Sequence, residues 1–174
     1  DSFYPRWQAQ AAAFRDQMAK RSTLNIPYGP GARQAFDLFR PEGMARGLMV
    51  FVHGGYWLAC GREDYSHLAA GALARGWACA LPHFRGCSGE INRAPRAYHS
   101  GDHAEIGWML QRLRAAHTGP LMAAGVSLGG NALLRWAAEV GIDAARSADA
   151  VAAVCSPIDL AAGGHAIGRG FNRQ

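Results

Sequence analysis

At 174 residues, 49% hydrophobic and 18% charged, the chain has the length and composition of one globular domain with a sizeable core. The net charge of +5 comes from arginines spread between Arg6 and Arg173, with Lys20 the one lysine, and no aromatic–basic platform accompanies them, which argues against a nucleic-acid partner. No stretch is apolar for long enough to span a bilayer, the start lacks the layout of a signal peptide, and the four cysteines (Cys60, Cys79, Cys87 and Cys155) form no CxxC pair. These features predict a reducing, cytoplasmic setting, with no disulfide and no structural zinc.

Taken in order, residues 6–20 are alanine-rich without Gly or Pro and predict a lead-in helix, after which Pro27, Gly29, Pro30 and Gly31 break the chain. Residues 34–39 alternate polar and apolar, as in an early half-exposed strand, and 48–52 form an apolar β-rich run. Residues 64–75 put Tyr65, Leu68, Ala72 and Leu73 on one helical face, ending at Gly76. A short buried strand follows at 77–82, then a loop-like segment over 84–100. Ile106, Met109, Leu110 and Leu113 mark an amphipathic helix, with Asp102 and Glu105 fitting a capping box at its start. Strand 120–124, helix 130–140 closed by Gly141, and strand 150–155 complete the pattern. Cys79 and Cys155 lie within strand-like runs and read as buried thiols, whereas Cys87 falls in a loop. The alternation of strands and helices predicts a single α/β domain over 1–174, with a mostly parallel sheet flanked by helices.

Two motifs carry chemistry. Gly125-Val126-Ser127-Leu128-Gly129 is a GxSxG pentapeptide between the 120–124 strand and the 130–140 helix. That setting turns a serine hydroxyl off the sheet edge, with a helix N-terminus beside it to stabilise negative charge. His53-Gly54-Gly55-Tyr56-Trp57 follows the 48–52 strand, and a glycine loop at that place lends a backbone N–H to an oxyanion hole. The predicted site is therefore Ser127 as nucleophile, with the Gly54, Gly55 and Tyr56 loop and the Leu128 N–H as oxyanion donors. His99 and His103 flank Asp102 at a spacing that raises a metal site, but no third ligand is in sight, so neither metal nor cofactor is expected.

Residues 28–82 resemble the arylformamidase (kynurenine formamidase)-like branch of the α/β-hydrolases. The resemblance rests on Tyr28-Gly29-Pro30, Asp37-Leu38-Phe39, Val52-His53-Gly54-Gly55-Tyr56-Trp57 and Ser66-His67-Leu68-Ala69. From Phe84 onward the chain resembles the YheT-like hydrolases instead. That resemblance rests on Phe84-Arg85-Gly86-Cys87-Ser88-Gly89-Glu90, Pro95 to Asp102, Gly125 to Asn131, Pro157-Ile158-Asp159-Leu160 and Gly170-Phe171-Asn172-Arg173. The change of pattern implies a seam near 81–84 between two homologous hydrolases. The resemblances imply cleavage of a small-molecule carboxylic ester or N-formyl amide through an acyl-enzyme. The first half points to arylformamidase-like amide cleavage and the second, which holds Ser127, to a carboxylesterase.

In such hydrolases the nucleophile is followed in the chain by an acid and then a histidine on later strands. The 47 residues after Ser127 leave room for one helix and one strand, which predicts a C-terminally truncated core with impaired catalysis. Asp159 and His165 stand in the right order to improvise as acid and base. The competing expectations are a catalytically incompetent fragment acting as a folding or oligomerising module through an exposed sheet edge, and an enzyme completed by a second chain.

Overall fold

The computed structural model describes residues 3–54, 60–84, 103–167 and 169. Helix α1 (Phe3–Gln17) leads into the edge strand β1 (Ser22–Pro27), then β2 (Ala35–Phe39) and β3 (Leu48–Val52). A 3-10 segment (Arg62–Ala69) and the short helix α2 (Ala70–Ala74) precede β4 (Ala78–Pro82). Helix α3 (His103–Ala115), β5 (Leu121–Val126), α4 (Leu128–Val140), β6 (Ala150–Val154) and α5 (Leu160–Ile167) follow. Six strands form one sheet in the order β1-β2-β4-β3-β5-β6. β3 to β6 run parallel, and β2 is antiparallel to both β1 and β4.

Alternation within the strands divides the core in two. Leu48, Val50, Val52, Ala80, Leu121 and Ala123 face Ile106, Met109 and Leu110 of α3 and Leu133 and Trp136 of α4. Cys79 and Leu81 face the other way, with Phe39 and Met18, toward α1 and the 3-10 segment. Fully buried side chains such as Val50, Leu121 and Leu133 each contribute roughly 1.5–3 kcal/mol of transfer free energy. α3 and α4 pack closely because Gly107 has no Cβ, which would sit 2.9 Å from Trp136 Nε1.

Several sequence expectations are corrected. Strand β1 was not foreseen; it is an exposed edge with a bulge, and Asn25 sits there at φ 58°. The strand read as half-exposed at 34–39 lies between β1 and β4, with Asp37 buried. Its carboxylate pairs with Arg62 Nε at 3.0 Å and accepts the Asn25 N–H at 2.8 Å, so a charge that reads as a solvent face is instead a cross-link. The helix read over 64–75 is mainly 3-10, with only Ala70–Ala74 in α form, and Leu68 is exposed. Cys79 is buried as expected, its thiol pushed up to about 12 by desolvation, but Cys155 is exposed at the end of the edge strand β6. Glu105 is buried and accepts from Tyr28 Oη at 3.0 Å and Gln34 Nε2 at 3.1 Å; the capping box expected of it needs Asp102, outside the described residues. Asp102, Cys87 and His99 lie outside the described residues.

Candidate active site

The site arises where the sheet changes winding direction. β3 leads to β4 on one side and β5 leads to β6 on the other, so the chain leaves adjacent, parallel-paired strands in opposite directions and opens a crevice at their C-terminal ends. The register pairs Val52 with Gly125 and therefore sets His53-Gly54 beside Val126-Ser127.

Ser127 occupies the turn between β5 and α4 at φ 53°, ψ −122°, in a region that L side chains rarely adopt. Its N–H donates to Val154 O of β6 at 2.9 Å, and its carbonyl accepts the Asn131 N–H at 3.0 Å as the first intrahelical bond of α4. The N–H groups of Leu128, Gly129 and Gly130 thus lie ahead of the helical ladder. Asn131 Nδ2 donates to Pro157 O at 2.9 Å, tying the turn to the segment after β6.

The glycines of the motif are required by contact. A Cβ on Gly129 would lie 2.4 Å from both Val52 O and His53 O, and one on Gly125 would lie 2.6 Å from Gly129 O and from the Gly130 backbone. A Cβ on Gly54 would lie 2.8 Å from Val126 O and 2.9 Å from Ser127 Cβ. Helix α4, the Ser127 turn and the chain leaving β3 meet with backbone against backbone. Gly54 and Leu128 are thereby placed at the turn; Gly55 and Tyr56 lie outside the described residues.

His53 is fully buried and serves packing. Its Nδ1 faces Gly54 O at 2.8 Å, and because a carbonyl only accepts, Nδ1 carries the hydrogen. The ring lies between Tyr65 (centroids 5.0 Å apart, 19°) and His83 (5.3 Å, 27°). Desolvation holds its pKa below the usual 6.5, so the neutral ring pins the residue before Gly54.

The expected acid and base are engaged elsewhere. Asp159 Oδ1 accepts the Ala162 N–H at 2.9 Å as a cap of α5, and His165 Nδ1 meets Ala161 O of its own helix at 2.8 Å, exposed. No hydrogen bond reaches Ser127 Oγ among the described residues. Nor do the described residues contain a His/Cys/Asp/Glu cluster able to hold a metal ion. Among them, no helix is long and apolar enough to cross a membrane.

No family model matches the chain. It is 42% identical over 113 residues to the candidate esterase YheT of Escherichia coli (strain K12), a match covering 64% of this chain and 33% of that protein. It is 29% identical over 58 residues to kynurenine formamidase of Salmo salar, covering 32% of this chain and 20% of that one. Both resemblances read from the sequence thus recur among the relatives. Among solved structures, a candidate thioesterase from Silicibacter sp. tm1040 superposes with a TM-score of 0.66 at 42% identity, over 76% of this chain and 48% of that one. Esterase B from Lactobacillus rhamnosis shares the fold at 18% identity and a TM-score of 0.60, over 90% of this chain and 58% of that one. The chain spans a third of the length of YheT and about half that of the thioesterase.

Proposed function

We propose that this chain, which belongs to the α/β-hydrolase superfamily, carries the nucleophile and oxyanion half of a serine hydrolase that cleaves a small carboxylic ester through an acyl-enzyme on Ser127. One observation carries this reading. Ser127 is held at positive φ on a strand-to-helix turn, with the Gly54 backbone packed against its Cβ position. In the proposed step Ser127 Oγ attacks the ester carbonyl carbon, and the N–H of Leu128 with those of the 54–56 loop stabilise the oxyanion. The tetrahedral intermediate then expels the alcohol, which takes up the serine proton, and water later releases the acid. Without an imidazole against Oγ that proton transfer is slow, so turnover by these residues alone is impaired. Amide cleavage of the arylformamidase type is the second chemistry, supported by the kynurenine formamidase match. We also propose that the change of pattern near 81–84 falls at the end of the fully buried strand β4; the 113-residue YheT match runs across that point and does not itself mark it.

The test is intact mass after incubation with a fluorophosphonate, with Ser127→Ala as control, with and without added imidazole. Slow labelling confined to Ser127 and accelerated by imidazole is expected. Fast labelling that His165→Ala removes would overturn the impaired reading in favour of an improvised base. No labelling under either condition would overturn the nucleophile reading. That outcome would favour the incompetent folding or oligomerising module, which the exposure of β6 at Val151 and Val154 supports. Concentration-dependent dimerisation in sedimentation would then identify it.

A further inference from the structure

Beside Ser127 lies a cavity of about 330 Å³ walled by Phe3, Tyr4 and Trp7 of α1, by Cys60 and Tyr65, and by Val126. It touches the candidate site from two directions. Val126 immediately precedes Ser127, and the Tyr65 ring stacks on His53, which immediately precedes Gly54. The cavity therefore adjoins both strand ends that build the site.

Its wall is aromatic and firmly held. Trp7 meets Tyr65 edge-on at 5.7 Å and His67 at 4.8 Å, both within the range of favourable ring pairs. Tyr4 Oη donates to Asp64 Oδ2 at 3.1 Å and Gln8 Nε2 donates to Asp64 Oδ1 at 3.1 Å. Arg15 adds bonds to Glu63 O and to Ser66 Oγ, so α1 is tied along its length to the 3-10 segment. Among the described residues the lining is also uncharged. Desolvation, with the hydrogen bond to Asp64, pushes Tyr4 up to about 12, and desolvation raises Tyr65 as well, so both phenols stay protonated at neutral pH. An ionised ligand group would lose its hydration there without gaining a counter-charge. The volume lies at the small end of ligand sites, roughly 300–1,000 Å³, which suits one or two fused rings and excludes a long chain or a polymer.

We infer that this cavity is the substrate subsite for a flat, uncharged aromatic group, and that Trp7 and Tyr65 are its specificity-determining residues. The link to an ester or amide substrate rests on the Ser127 reading proposed above; the cavity itself does not. On this inference α1, which precedes the whole sheet in the chain, is a wall of the site.

The experiment measures binding and reactivity separately. Calorimetric titration of the Ser127→Ala protein with 2-naphthol and with 1-octanol reads the cavity without turnover. Tighter binding of 2-naphthol is expected, weakened at least about fivefold by Trp7→Ala and recovered by Trp7→Phe, which keeps a ring and controls for a loosened helix. Phe3→Ala, at an 84% exposed position that folding does not need, should weaken it less. Equal or tighter binding of octanol, or naphthol binding unchanged in Trp7→Ala, would overturn the inference. Labelling of wild-type Ser127 by a methyl fluorophosphonate, too small to use the cavity, reports on the nucleophile alone. Naphthol bound with Ser127 inert sustains the aromatic subsite and overturns the nucleophile reading; Ser127 labelled with no naphthol bound does the reverse.

Discussion

Replacing Gly129 by alanine tests whether the start of α4 truly rests on the end of β3. The added methyl would sit 2.4 Å from Val52 O and 2.4 Å from His53 O, where ordinary contacts are 3.4–4 Å. Each overlap is therefore about 1 Å, and neither oxygen can swing aside as a side chain would. Val52 is held by its pairing with Gly125, and the His53 ring is clamped between Tyr65 and His83. Relief requires moving the helix off the strand, and such overpacking costs roughly 1–3 kcal/mol. Two such overlaps put the cost at about 2–3 kcal/mol, and alanine's better helix propensity offsets up to about 1 kcal/mol, leaving a net loss of roughly 1–3 kcal/mol. Gly71 in α2 supplies the control, because nothing lies within 4 Å of its virtual Cβ and only the propensity gain of about 0.5–1 kcal/mol applies. Urea unfolding midpoints should thus move in opposite directions for Gly129→Ala and Gly71→Ala. A shift of the helix start by about 1 Å also displaces the Leu128 N–H, and misplacement of that size costs on the order of 100-fold in rate. Fluorophosphonate labelling of Gly129→Ala should therefore slow far beyond its loss of stability. A Gly129→Ala protein as stable as Gly71→Ala, and labelled at the wild-type rate, would refute the backbone contact on which the proposed oxyanion geometry depends.

Ser127→Gly should raise stability by about 1 kcal/mol while abolishing labelling, because relief of a strained positive φ (roughly 1–3 kcal/mol) exceeds the extra unfolded-state entropy of glycine; a loss of stability in denaturant unfolding would contradict the strain. Asp37→Ala should cost about 3–5 kcal/mol, since it leaves the Arg62 guanidinium buried without its partner, and the same titration reads this directly. Burial holds the pKa of His53, and of the less buried His67, below 6.5 in the folded protein. The unfolded chain therefore takes up protons first as pH falls, so stability is at its plateau above 6.5 and declines between 6.5 and the lower folded values. Unfolding free energies at about pH 7 and about pH 5 should show this decline, with a smaller slope in His53→Gln; an equal slope would show that His53 does not titrate there.

What could be read from the sequence was local. The Gly125–Gly129 strand-to-helix turn is a run of covalent neighbours whose glycines are demanded by contacts within the run and with β3, so composition and order suffice to announce the turn. The buried strands β3, β4 and β5 are short, continuous or alternating apolar runs, and they fall close to where the pattern puts them. Strand β1 escaped because an exposed edge needs no apolar face; its signal was confined to the β-branched Thr23 and Ile26, and Pro27 masked it. Asp37 escaped because its partner Arg62 lies 25 residues away, and a lone acid inside an alternating run reads as solvent-facing.

The same distinction separates the two halves of the catalytic problem. Donors to an oxyanion are backbone groups fixed by where strands end, so placing Ser127 after β5 and Gly54 after β3 already brings them together. A base is a side chain that must arrive from another element, and neither its position nor its partner is encoded in the motif it serves. The engagement of Asp159 in the α5 cap and of His165 with its own helix shows that chain order alone does not bring a group to the serine. The aromatic cavity makes the converse point. Trp7 and Tyr65 are 58 residues apart and carry no motif, yet the bonds that dock α1 on the 3-10 segment gather them around one cavity with Val126, the residue before Ser127. The proposed reactivity at Ser127 and the proposed recognition beside it therefore rest on separate elements of this fold, which is why labelling and ligand binding can fail independently.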